Sequence, residues 1–167
     1  MGKLNIIHII KNHLKTFRRL GQQKVSKKDI FIFFFLPFLI SGLLVYNSIS
    51  INDIIGDLLK AIAIFSAFLF NMLAIVNGSM DKEKVKSDKI REIYAMEIHS
   101  NLSFEILIGI FLVFGLLIQS MILGMSIQYI HIFLMKKLIE LINYTLLGIF
   151  LLTLIMCLNR VYILIKH

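Results

Sequence analysis

Cysteine and proline are almost absent from this 167-residue sequence, with one of each, Cys157 and Pro37. A single cysteine excludes an internal disulfide and any metal site built on cysteine. Pro37 lies inside an apolar run. Its missing N–H and its clash with the carbonyl four residues back predict a kink there. Catalytic signatures are also lacking. No serine sits in a nucleophile elbow, and no glycine loop suits a phosphate. His8, His13, His99, His131 and His167 form no two-histidine metal motif, and His8 and His13, five apart, fall on different helix faces. The central parts of the apolar runs hold no Asp, Glu, Lys, Arg or His, which disfavours a proton-coupled transporter made by one subunit. The N-terminus lacks the pattern of a secretory signal. Ile6 stands where a myristoylation motif needs Ser or Thr. These absences predict a non-enzymatic protein without a cofactor.

What is present is hydrophobicity arranged in blocks. Hydrophobic residues make up 58% of the chain and the mean hydropathy is +0.85, against about 45–50% apolar residues in soluble domains. The charged 17% collects between the apolar runs. The net charge of +8 is concentrated at the N-terminus, so anionic lipid is the expected partner. Direct nucleic-acid binding is not expected, because no stacking platform accompanies the charge.

The pattern predicts an all-α membrane protein with four transmembrane helices. Residues 1–25 read as a basic amphipathic helix in the membrane interface, with Leu4, Ile7, Ile10, Leu14 and Phe17 on one face. Lys11, Lys15, Arg18 and Arg19 are its candidate lipid contacts. Ser26 and Asp29 fit a capping box. The four-span domain, 26–167, places spans at about 30–47, 58–77, 104–123 and 141–159. Ala63, Ala67 and Asn71 recur every four residues and form a candidate packing stripe. Gln119 is a second buried amide, and both amides are packing or pore candidates. Residues 78–103 mix both charge signs at helical spacing, which predicts a cytoplasmic helical extension between spans two and three. On it, Lys86, Lys89, Arg91 and Glu92 are candidate partner-docking residues. Glu105 is expected at the cytoplasmic mouth of span three, near a helix N-terminus. Residues 124–140 read as an outer loop with an interfacial segment.

Lysine and arginine give the orientation. Eight of the eighteen precede the first span, and five lie in the second connection. The first connection holds only Lys60, the third Lys136 and Lys137, and the tail Arg160 and Lys166. This alternation predicts a bacterial inner-membrane protein with both termini cytoplasmic.

Three segments carry a resemblance: Phe68-Leu69-Phe70-Asn71, Lys89-Ile90-Arg91-Glu92 and Asn101-Leu102-Ser103-Phe104. Together with the four-span layout, they resemble the membrane component of the Kiwa anti-phage defence system and, more weakly, RexB-type phage exclusion proteins. The Kiwa resemblance implies a homo-oligomeric membrane sensor in antiviral defence that recruits a soluble, DNA-binding cytoplasmic effector. The leading expectation is therefore a sensor or scaffold. The alternatives are a depolarising pore, of the exclusion or holin type, and a small transporter subunit.

Overall fold

The computed structural model describes residues 5–17, 26–80, 89–123 and 130–166. It is all-helical, with no strand among the described residues. Helix α1 (Ile6–Lys15) starts at Asn5, whose side chain accepts the His8 N–H at 3.0 Å. This local cap satisfies one of the donors that a helix start leaves free. Helix α2 (Lys27–Ile30) runs through a π-helical turn (Phe31–Phe35) into α3 (Leu36–Tyr46). A 3₁₀ turn (Asn52–Ile54) leads into α4 (Ile55–Met80). Two long helices follow, α5 (Lys89–Leu123) and α6 (Ile130–Lys166).

Four helical segments are long and apolar enough to cross a membrane: Lys28–Tyr46, Asn52–Gly78, Arg91–Leu123 and Phe133–Tyr162. At about 1.5 Å per residue, the 35 residues of α5 and the 37 of α6 extend well past a hydrocarbon core of about 30 Å. Both begin earlier than the apolar runs suggest. Helix α5 is continuous from Lys89, so Glu105 lies more than four turns inside it. The expectation of Glu105 at a helix N-terminus is thereby corrected. Residues 130–140, expected in a loop, form the first three turns of α6. The charges that interrupt the apolar pattern there are partly paired along the helix, with Lys137 Nζ 3.7 Å from Glu140 Oε2.

The proline is accommodated by the π-helical turn just before it. The Leu36 N–H reaches back five residues to the Phe31 carbonyl. A widened turn of this kind relieves the clash between a proline ring and the preceding turn, and it is one of the few established causes of a helix kink. Of the expected capping box, the Ser26 half forms, with the hydroxyl accepting the Asp29 N–H at 3.4 Å. The Ser26 N–H donates instead to the Phe17 carbonyl at 3.1 Å.

Packing runs α4–α5–α6–α3, with α5 and α6 in the middle and α1 seated on α5. The core contains Leu69 of α4, Ile98, Leu102, Leu112 and Leu116 of α5, and Phe150 of α6, all fully buried. Two glycines set the close approaches. A Cβ at Gly148 would lie 2.8 Å from Pro37 Cβ, so glycine lets α6 meet α3 at the rigid proline ring. A Cβ at Gly115 would lie 2.0 Å from Asn143 Oδ1, so glycine leaves room for that amide between α5 and α6.

Helix α3 ends in a Schellman motif. Ile49 N–H donates to Leu44 O at 3.0 Å and Ser48 N–H to Val45 O at 3.1 Å. Ser48 holds the left-handed position at φ 55, where a side chain costs about 1 kcal/mol or more. Ser48→Gly is expected to raise stability in detergent by up to about 1 kcal/mol, read from denaturant unfolding. A lower stability would contradict this account of the turn.

Candidate functional site

Polar residues gather at the two ends of the helix bundle. One gathering joins α1, α5 and α6. His13 is fully buried, and its ring lies parallel to Phe104 at 3.8 Å between centroids. Its Nδ1–H donates to Asn101 Oδ1 at 2.9 Å, which fixes the tautomer because an amide oxygen only accepts. Thr16 donates at 2.8 Å to the same oxygen, or at 2.7 Å to the His13 carbonyl. Arg160, from the far end of α6, pairs with Glu97 of α5 and donates to the Thr16 carbonyl at 2.6 Å. That carbonyl belongs to the last turn of α1, where a cation also meets the negative end of the helix dipole. Phe17 extends the seat by packing on Phe33 with ring centroids 5.0 Å apart.

This seat is incompletely satisfied. His13 Nε2, Asn101 Nδ2 and both Glu105 carboxyl oxygens are buried without a hydrogen-bond partner among the described residues. Asn101 and Glu105 are four apart, so they share one face of α5. Burial pushes the His13 imidazole down to about 4, the Asn101 hydrogen bond opposes the shift, and the Arg160 charge adds to it. His13 is therefore neutral near pH 7.

Of the apolar face expected at the membrane interface, Ile7 and Ile10 stay exposed while Phe17 is taken into the bundle. Ile9, His13, Thr16 and Phe17 face the bundle, while Ile6, Ile7 and Ile10 stay exposed. The helix is thus seated on the bundle by a polar stripe and shows apolar residues outward, beside the exposed Lys11 and Lys15. Sequence reasoning passed over His13. The signal was its place between Ile10 and Phe17, at spacings of three and four. Asn101 and Glu97 are 88 and 63 residues from their partners, so no local spacing announces them.

The other gathering joins the α3–α4 connection to α5 and α6. Asn143 of α6 donates to Gln119 of α5 at 2.7 Å, and Gln119 donates to Asn52 at 2.7 Å. Ser50 donates to Glu140 at 2.9 Å, Lys137 to the Val45 carbonyl at 3.3 Å, and Tyr144 to the Ile49 carbonyl at 2.6 Å. Beside this network lies a cleft of about 230 Å³, lined by Ser50, Asn52, Gln119, Lys136, Lys137 and Glu140 together with apolar residues.

Of the residues expected to act, Gln119 is buried in this network. Ala63, Ala67 and Asn71 all face outward on α4, so Asn71 and Gln119 do not line one surface of the chain. Lys86, Arg18 and Arg19 lie outside the described residues. Lys89 opens α5, Arg91 is half-buried and Glu92 exposed. Among the described residues, no group of three or more His, Cys, Asp or Glu could hold a metal ion.

No protein-family model matches the chain, and neither a curated protein nor a solved structure matches it.

Proposed function

We propose that the chain is a multi-pass sensor or scaffold of a bacterial inner membrane that self-associates and presents α1 and the 78–103 segment to a soluble cytoplasmic effector. By the lysine and arginine distribution, the α1 end faces the cytoplasm and the cleft faces outward. The observation that carries the reading is the seat of α1. A short helix is seated on α5 through a buried histidine–asparagine contact, supported by Thr16, Phe17 and Arg160, with unused donors and acceptors beside it. The same α5 reaches the cleft through Gln119. In this reading the seat is the switching element, and a shift of α5 against α6 releases it. A role in anti-phage defence follows from the resemblance alone.

Self-association is assigned to the outward stripe of Ala63, Ala67 and Asn71. Small residues allow close helix approach, and an amide facing lipid gains a partner in a second copy. Purification in mild detergent, with native mass and identification of co-purifying proteins, tests both parts. The expected result is a defined homo-oligomer carrying one soluble protein, which is lost on Lys86→Glu with Lys89→Glu. Asn71→Leu is expected to lower the oligomer mass. A monomer, or a wild-type complex without a soluble protein, overturns the reading. The second outcome, joined to collapse of membrane potential on expression, would favour the depolarising pore.

A further inference from the structure

The cleft at the end of the bundle opposite α1 has the chemistry of a site for a zwitterion that carries both a phosphate and a primary ammonium. Lys136 and Lys137 supply positive charge. Glu140, only 8% exposed, supplies negative charge one helical turn beyond them. Its Oε1 accepts from Ser50 at 2.9 Å and its Oε2 lies 3.7 Å from Lys137. Ile122 and Phe133 complete an apolar wall. The lining comes from the ends of the spans, so it stands at headgroup depth in any bilayer these spans cross. Charges of both signs over an apolar wall, in a space of about 230 Å³, suit a headgroup with the start of its acyl chains.

We propose that this cleft binds a phosphoethanolamine group, with the phosphate on Lys136 and Lys137 and the ammonium on Glu140 and Ser50. The ligand's placement in the outer leaflet rests on the orientation given above. The site chemistry does not depend on it. A carboxylate flanked by a hydroxyl discriminates among headgroups, because a primary ammonium donates three hydrogen bonds and a trimethylated one donates none. Glycerol headgroups carry no cation for Glu140. The site is therefore expected to prefer phosphatidylethanolamine over phosphatidylcholine and phosphatidylglycerol.

The test uses the full chain, delipidated in mild detergent and titrated with each of the three lipids under native mass spectrometry. Free O-phosphoethanolamine forms a parallel arm, read by thermal shift. The wild type is expected to retain phosphatidylethanolamine about tenfold more tightly than the other two, as one charged hydrogen bond warrants. Glu140→Gln is expected to erase that preference. Lys136→Gln is expected to weaken all three lipids together. Melting curves of both variants confirm folding, and either variant alone suffices to test the site. A thermal shift with free O-phosphoethanolamine identifies the headgroup as sufficient. Binding of the lipid alone shows that the apolar wall contributes. Equal retention of the three lipids by the wild type, or an unchanged preference in folded Glu140→Gln, overturns the proposal. Loss of lipid preference with partner capture intact would leave the sensor reading standing, so the two fail separately.

Discussion

Acidification from pH 7.5 to pH 5 is expected to release α1 from the bundle. The seated His13 takes up a proton only near pH 4, whereas a solvated histidine does so near 6.5. Between those values the released form binds more protons than the seated form. Seating is therefore fully favoured above about pH 6.5 and weakens as the pH falls toward 4. A difference of about 2.5 pH units corresponds to roughly 3 kcal/mol across the window, of which about 2 kcal/mol is lost by pH 5. Burial is the main cause of the shift. The titratable groups of the surrounding seat are Arg160 of α6, which adds to it, Glu97 of α5, which is engaged with Arg160, and the buried Glu105 of α5. Hydrogen exchange of residues 6–15, corrected for the intrinsic effect of pH, reads the release. Exchange there is expected to accelerate on acidification while the buried turns of α5 keep their protection. His13→Gln, which cannot titrate, is expected to flatten the response. An unchanged pH response in His13→Gln would place its origin elsewhere.

Gly115→Ala is expected to destabilise the bundle strongly for a single added methyl. The new Cβ would stand 2.0 Å from Asn143 Oδ1, so the amide must swing away. Its donation to Gln119, at 2.7 Å, is then broken. Each buried polar group left without a partner costs about 1–3 kcal/mol, and two groups lose theirs, for a total of roughly 2–6 kcal/mol. A double-mutant cycle isolates the cause. In an Asn143→Ala background, Gly115→Ala is expected to cost little, because the colliding amide is gone. Equal costs in both backgrounds would show that the glycine serves another purpose.

The spans were legible in the sequence because four long apolar runs have few other solutions. Their true lengths were not. Charged residues from Lys89 to His99 fitted the expected helical extension, whereas those from Lys136 to Glu140 read as interruptions, but helix needs only that such groups find solvent or a partner. Lys137 with Glu140 and Glu97 with Arg160 do so. Gln119 stood out as an isolated amide in an apolar run. Its partners, Asn52 and Asn143, did not stand out, since Asn52 lies in a polar connection and Asn143 near the edge of a span. Glu105 was misplaced because its depth depends on where α5 begins. The seat of α1 on the bundle was not legible: apolar spacing pointed to an interfacial face with Ile7 and Ile10, which stay exposed, whereas the bundle takes up Ile9, His13 and Phe17. That choice depends on Asn101, Phe104 and Arg160, which no stretch of the first 25 residues reveals.

In the proposed sensor, the cleft end of α5 and α6 governs how firmly α1 is seated at the other end. The direct measurement is hydrogen exchange of residues 6–15 in nanodiscs at pH 7.5, compared among the wild type, Gln119→Leu and Glu140→Gln. The account predicts that both cleft variants change the protection of α1 while the buried turns of α5 between the two ends remain protected. Identical α1 protection in all three proteins would contradict it.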